Sequence, residues 1–235
     1  MSITSVELRS KNLETKLTTL ASKIDTGELE FIRAFITNDK EVSCHRENNT
    51  LALRISLEKR SIPLAIEIIQ GGDFEGTEAL LLAVQGGHTA CVKALLASKA
   101  VSLSNIGDAL YEAAKKGHLD CVEALLSSGA VSDVNRGRAV RPAARVGHLS
   151  CVEALLASGP ISEAYRGGAV RYACYQGHLA CIEALLANGA ISESDRAEAF
   201  EIANDLGHSA CVQVLLPFGV SLNQYLTARR SLARE

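Results

Sequence analysis

Ala113-Ala114-Lys115-Lys116-Gly117-His118-Leu119-Asp120-Cys121-Val122-Glu123-Ala124-Leu125-Leu126-Ser127-Ser128-Gly129-Ala130 is the stretch that decides how the rest of the chain is read. Its second half puts Cys121, Val122, Leu125 and Leu126 at i, i+1, i+4 and i+5, which is one face of an α-helix. Gly129 stands where a left-handed residue closes such a helix. Gly117-His118 separates this helix from an upstream one that ends on the pair Ala113 and Ala114. The stretch is therefore a helix–turn–helix with two apolar faces, too small to bury both by itself.

It is also repeated. Gly-His recurs at Gly87-His88, Gly117-His118, Gly147-His148, Gly177-His178 and Gly207-His208, every 30 residues. Three residues after each histidine comes a cysteine: Cys91, Cys121, Cys151, Cys181 and Cys211. Each is followed by Val or Ile and then by a leucine pair, from Leu95-Leu96 to Leu215-Leu216. Four of the units close on glycine (Gly129, Gly159, Gly189, Gly219), and the first has Lys99 instead. Upstream of Gly-His, one alanine column runs through Ala79, Ala109, Ala139, Ala169 and Ala199. A second runs through Ala83, Ala113, Ala143, Ala173 and Ala203. Alanine at i and i+4 lets a neighbouring helix approach closely. Units of this kind bury their faces by stacking on copies of themselves.

The string Ala113–Ala130 resembles the ankyrin repeat pattern A-A-x-x-G-H-x-x-x-V-x-x-L-L-x-x-G-A, and the likeness extends from about Glu78 to Gly219. The resemblance implies an all-α, ankyrin-like helical solenoid of about seven helix–turn–helix repeats with short inter-repeat loops. It further implies that each histidine sits in a tight turn bonded to the neighbouring loop, and that the chain binds other proteins. Two departures stand out. The period is 30 rather than the family's usual length of about 33. The T-P-L-H motif that opens the first helix is missing. Both fall in the inter-repeat loop, so the projecting finger is expected to be short. Similar short units are familiar from intracellular bacteria and large viruses of amoebae, so an effector secreted into a host cytosol is among the readings.

Composition narrows the classes. With 235 residues, nearly half of them apolar, the chain can bury a substantial core. That apolar content is mainly Ala, Leu and Val without tryptophan, which suits helix-on-helix packing. A formal charge of −3 disfavours generic nucleic-acid binding, which calls for a basic excess. No apolar run reaches the roughly 20 residues of a membrane-spanning helix, and Met1–Arg9 lacks the apolar core of a secretory signal. Seven cysteines, an odd number, read as free thiols of a reducing compartment and hence of a cytoplasmic protein.

The ends are less regular. Gly27–Ile36 follows the second-helix pattern, and Ser61–Ile69 follows it more loosely, with Pro63 in a first turn where proline is tolerated. The expected organisation is a divergent capping repeat over 1–47, a divergent repeat over 48–75, five regular repeats over 76–220, and a capping helix or tail over 221–235.

The His-x-x-Cys pairs invite a zinc or a Cys–His nucleophile reading. Equivalent positions in stacked helices lie roughly 8–10 Å apart, whereas zinc ligands come within about 2.0–2.3 Å of the metal. Adjacent repeats cannot pool ligands, and one repeat supplies only two. No metal, cofactor or catalytic residue is therefore assigned, and the cysteines read as small apolar core residues. Cys174 stands where other repeats have Val84, Ala114, Ala144 and Asn204, and a reactive thiol there is the basis of an alternative reading as a cysteine-dependent transferase or hydrolase. Cys44-His45, in the irregular N-terminal part, reads as a loop pair with no further ligands nearby. No phosphate-binding loop or recognised catalytic motif supports an enzyme.

Function in a repeat array is sought where the repeats differ. The variable, outward-facing columns hold Tyr111, Lys115 and Lys116, then Arg136, Arg138, Arg141 and Arg145, then Tyr165, Arg166, Arg171, Tyr172 and Tyr175. Tyrosine and arginine are enriched at protein–protein hot spots. The expected partner-binding strip consists of Tyr111, Lys115, Arg138, Arg141, Arg145, Tyr165, Arg171, Tyr172 and Tyr175 on the concave face. It is flanked by Glu198, Glu201 and Asp205 of a more acidic unit. The reading is a monomeric, non-enzymatic scaffold or adaptor whose protein partner presents acidic or phosphorylated groups. Single-stranded nucleic-acid binding along the same strip is a further alternative.

Overall fold

The computed structural model describes residues 22, 42–71, 74–98 and 100–216. Among these residues there are twelve helices and no strand. The first four are α1 (Val42–Glu58), α2 (Ile62–Gly71), α3 (Gly76–Gln85) and α4 (Thr89–Ala97). The next four are α5 (Leu103–Lys116), α6 (Leu119–Ser127), α7 (Asp133–Val146) and α8 (Leu149–Ala157). The last are α9 (Glu163–Gln176), α10 (Leu179–Ala187), α11 (Glu193–Asp205) and α12 (Ser209–Leu215). The chain divides into two compact units, Met1–Ala109 and Leu110–Glu235.

Each regular repeat folds from the same local instructions. Ser132 and Ser192 cap α7 and α11, their hydroxyls accepting from the backbone N–H groups of Asn135 and Asp195. The first helix of a repeat stops on glycine in the left-handed region: Gly147 has φ 85° and Gly177 has φ 75°. The next N–H, that of His148 or His178, then reaches back to the carbonyl of Ala143 or Ala173 at 3.0 or 2.9 Å. This tight turn lets the second helix begin at once.

The packing follows the repeat columns. In both units the two alanine columns, the five repeat cysteines, the Val or Ile after them and the first leucine of each pair are buried. Within the unit Leu110–Glu235, α9 packs between α7 and α11, while α8 packs against α6 and α10. First helices thus stack on first helices and second on second. An alanine at the contact is what allows this spacing.

The N-terminal part departs from expectation in one respect. Cys44 and His45 lie within α1, not in a loop, because nothing between Val42 and Glu58 is a glycine or proline that would stop the helix. The expected boundary between 47 and 48 consequently falls inside α1. Most of the segment expected to cap the N-terminus, including Gly27–Ile36, lies outside the described residues, as does the whole segment 221–235.

Candidate functional site

Three sets of side chains stand out in the regular repeats: two recur and tie the stack together, and the third varies and lines a groove. The histidines belong to the turns. His88 Nε2 lies 3.0 Å from the carbonyl oxygen of Leu57, a bond from a repeat turn to the last turn of α1. A Cβ placed on Gly117, Gly147 or Gly177 would lie 2.6, 2.6 or 2.8 Å from the ring of His148, His178 or His208 respectively. Each ring therefore covers the glycine of the preceding turn. Glycine is required there twice, for the backbone angle and for the space.

The second set corrects the sequence reading. Arg136 and Arg166, grouped above with the outward-facing residues, are held inward with Arg196 as an arginine recurring every 30 residues. The Arg136 side chain is only 12% exposed. Its Nη1 donates to the carbonyl of Val131 at 3.1 Å, and its other terminal nitrogen pairs with Asp133. Arg166 donates to the carbonyls of Ile161 and Ala190, both at 2.7 Å, tying its own loop to the next. Arg196 reaches the carbonyl of Leu215 at 3.4 Å. Short loops leave carbonyls that a long cation satisfies from the side. The 30-residue recurrence was visible in the sequence and could have identified this column.

The third set lines a groove over the first helices of the unit Leu110–Glu235. One cavity of about 730 Å³ is bounded by Arg141, Arg145 and Val146 of α7, by Arg171, Tyr172 and Tyr175 of α9, and by Glu198 and Ile202 of α11. A smaller one of about 210 Å³ adjoins it, sharing Arg141, Arg145 and Tyr172 and adding Tyr111, Arg138 and Pro142. Of the nine expected residues, these cavities gather Tyr111, Arg138, Arg141, Arg145, Arg171, Tyr172 and Tyr175. Lys115 and Tyr165 are not part of the lining. Lys115 is half-buried, paired with Glu112 at 3.2 Å and lying 5.9 Å from the centroid of the Tyr111 ring. Tyr165 is half-buried beneath Arg141, whose guanidinium carbon is 5.6 Å from the ring centroid. The same ring fills the space that a side chain at Gly137 would need.

The arginines of the groove are not equivalent. Arg171 is already neutralised by Asp195, at 3.4 Å, and by Glu198. Arg145 has neither an ion pair nor a hydrogen bond among the described residues, and Arg141 has only its stacking on Tyr165. Tyr172 and Tyr175 are 46% and 58% exposed, and Val146 is exposed beside them. The site is thus a basic, tyrosine-walled trough with apolar patches, closed on one side by a carboxylate. A further feature escaped the sequence reading. Gly168 stands in a column otherwise filled by Asp108, Arg138 and Glu198. A Cβ there would lie 2.6 Å from an Arg141 Nη and 2.7 Å from its Nε, so the glycine is the notch that seats this arginine.

The cysteines are elsewhere. Cys91, Cys121, Cys151, Cys174, Cys181 and Cys211 are all free and buried. Burial pushes the Cys174 thiol up to about 12, with a smaller contribution from Cys211, and the Cys91 thiol up to about 11. Cys151, Cys181 and Cys211 are raised in the same direction, again mainly by burial. A thiol so raised is protonated at neutral pH, which suits packing and not nucleophilic attack. Among the described residues no group of three or more His, Cys, Asp or Glu side chains is arranged to hold a metal ion. No helix among them is long and apolar enough to cross a membrane.

Comparison with known proteins follows the same lines. The family model for ankyrin repeats, in three copies, matches residues 53–138 and 140–225, together nearly three quarters of the chain. Among solved structures, the crystal structure of EF0377, an ankyrin repeat protein, superposes with a TM-score of 0.59 at 24% identity. The match covers 71% of this chain and 96% of that one, and it speaks to the fold alone. Comparison with the curated proteins gives no match.

Proposed function

The chain belongs to the ankyrin-repeat family, whose repeats serve as protein–protein interaction modules, and from that premise we propose that it binds its partner in the groove over α7, α9 and α11. The observation that carries this reading is the state of four side chains. Tyr172 and Tyr175 are exposed, Arg145 is without a partner among the described residues, and Arg141 is held on Tyr165, all bordering the cavity of about 730 Å³. Leaving two tyrosines and a guanidinium open to water adds little to the stability of a helical stack, whereas such groups supply large contact area and directional bonds in an interface.

Charge complementarity points to an acidic or phosphate-bearing partner. The groove brings together four arginines against Glu198. We read the protein as a scaffold or adaptor and not as an enzyme, because the thiols of Cys91, Cys151, Cys174, Cys181 and Cys211 are buried and raised and lie away from the groove lining. Six reduced, buried cysteines suit a reducing compartment, the ground for a cytoplasmic reading.

The test is capture of partners by the intact chain and by a Tyr172→Ala/Tyr175→Ala form, followed by titration of each captured protein. A partner of the groove binds the intact chain and loses at least about thirtyfold in affinity against the double variant, while the urea midpoint stays unchanged. Partners that bind both forms equally would refute the groove as the binding surface.

A further inference from the structure

Within this groove, and resting on the reading of it as a partner-binding surface, we infer that Arg141 and Arg145 form a seat for a phosphate monoester, and specifically for a phosphotyrosine side chain of the partner. Arg141 and Arg145 stand at i and i+4 on α7, so their side chains emerge on one face a single turn apart. Like charges so placed repel, and neither arginine makes an ion pair among the described residues. The Arg141 Nε–H is buried without an acceptor, as are those of Arg136 and Arg166, but the terminal nitrogens of Arg141, unlike theirs, also make no hydrogen bond among the described residues. Its guanidinium is nevertheless fixed, stacked on Tyr165 and seated in the notch at Gly168. A fixed, unsatisfied guanidinium beside a second, unpaired one matches two charges on three oxygens better than one charge on two.

The neighbouring wall selects the carrier of the phosphate. Val146, Tyr172, Tyr175 and Ile202 border the same cavity as the two arginines. A phosphoserine is too short to use that wall once its phosphate is seated, whereas an aryl phosphate lays its ring along it. Arg171 is set apart from this role, since Asp195 and Glu198 already occupy it.

Gly168 gives the proposal a test that folding does not confound. Its missing Cβ would meet only the far end of a flexible side chain, so Gly168→Ala folds but displaces Arg141 from its seat. The experiment is fluorescence titration of the full chain with labelled pentapeptides that carry a single phosphotyrosine, phosphoserine, tyrosine or glutamate. Inorganic phosphate serves as competitor, and vesicles containing a phosphoinositide form a separate arm. The phosphotyrosine peptide is expected to bind at least about tenfold tighter than the other three. Arg141→Gln and Arg145→Gln should each lose about tenfold or more, Gly168→Ala several-fold, and Lys93→Gln, an exposed charge on α4, nothing.

Equal binding of the glutamate peptide, or binding indifferent to Arg141 and Arg145, overturns the proposal. So does a seat that takes phosphoinositide vesicles or free phosphate but no phosphopeptide. If captured partners depend on Tyr172 and Tyr175 while no phosphopeptide binds, the groove stands as an interface and the phosphate inference alone fails. If neither depends on the groove, both fall.

Discussion

The first and second helices of the central repeats meet different demands. The second helices α8 and α10, Leu-Ser-Cys-Val-Glu-Ala-Leu-Leu-Ala and Leu-Ala-Cys-Ile-Glu-Ala-Leu-Leu-Ala, differ at two of nine positions. The first helices α7 and α9 differ at eight of fourteen. What stays the same in α7 and α9 is informative. Of six such positions, Gly137 and Gly167, Ala139 and Ala169, Val140 and Val170, Ala143 and Ala173 are buried at helix contacts, and Arg136 and Arg166 hold loop carbonyls; the sixth, Arg141 and Arg171, is the groove's own shared arginine. What differs includes Arg138 against Gly168, Pro142 against Tyr172, Arg145 against Tyr175 and Val146 against Gln176, all on or beside the groove. One helix of each pair is committed to the stack, and the other divides its faces between stack and groove.

Alkaline pH should expose this division most strongly. The second helices bury one cysteine per repeat, and α9 adds Cys174. A thiol whose folded value is raised contributes stability that is complete below its unfolded value of about 9 and is lost as pH rises toward its folded value. Urea midpoints should therefore hold below pH 9 and fall increasingly steeply from there toward 11–12, the values to which burial pushes Cys91 and Cys174. Cys174→Ala should flatten the fall by up to about 1.4 kcal/mol per pH unit. A midpoint flat to pH 11 would mean that these thiols are not buried as described.

Overpacking comes next. Ala173→Leu or Ala143→Leu, both fully buried between first helices, should cost roughly 1–3 kcal/mol in a urea titration. Arg166→Ala removes two bonds to loop carbonyls and should cost about 1–2 kcal/mol, visible as faster hydrogen exchange in the loops on either side. Arg145→Ala, with nothing to lose, should fall within about 0.5 kcal/mol of the parent. If Arg145→Ala destabilised the chain more than Arg166→Ala, the inward and outward faces of the first helices would be exchanged.

Much of this was legible in the sequence because the stack is periodic. The Gly-His turn, the cysteine column and the alanine columns each recur every 30 residues, and each recurrence marks a position with one fixed environment. Seven of the groove residues were legible for the complementary reason, that their columns change from repeat to repeat. Arg136 and Arg166 were misread because arginine is ordinarily exposed, and a short loop's need for a donor shows only once its carbonyls are placed. Gly168 escaped because a single missing Cβ announces nothing until the arginine that fills its space is seen. Ion pairs such as Arg171 with Asp195 join residues 24 positions apart, and no local pattern gives their partners. The helical placement of Cys44 and His45 was legible in principle, from the absence of any breaker between Val42 and Glu58.

The most direct test of the central claim, that stack and groove are carried by separate faces of the same helices, pairs two measurements on one set of proteins. Arg141→Ala, Arg145→Ala, Tyr172→Ala and Tyr175→Ala would be titrated both with urea and with the partner recovered by the intact chain. The account predicts urea midpoints equal to the parent's for Arg145→Ala, Tyr172→Ala and Tyr175→Ala and a loss of at most about 1 kcal/mol for Arg141→Ala, which gives up its stacking on Tyr165. With these goes a loss of at least about 2 kcal/mol of binding, or thirtyfold in affinity, at one or more of the four. Four variants that bind like the parent, beside a loss of binding on alteration of the His-turn loops or of the chain ends, would contradict it.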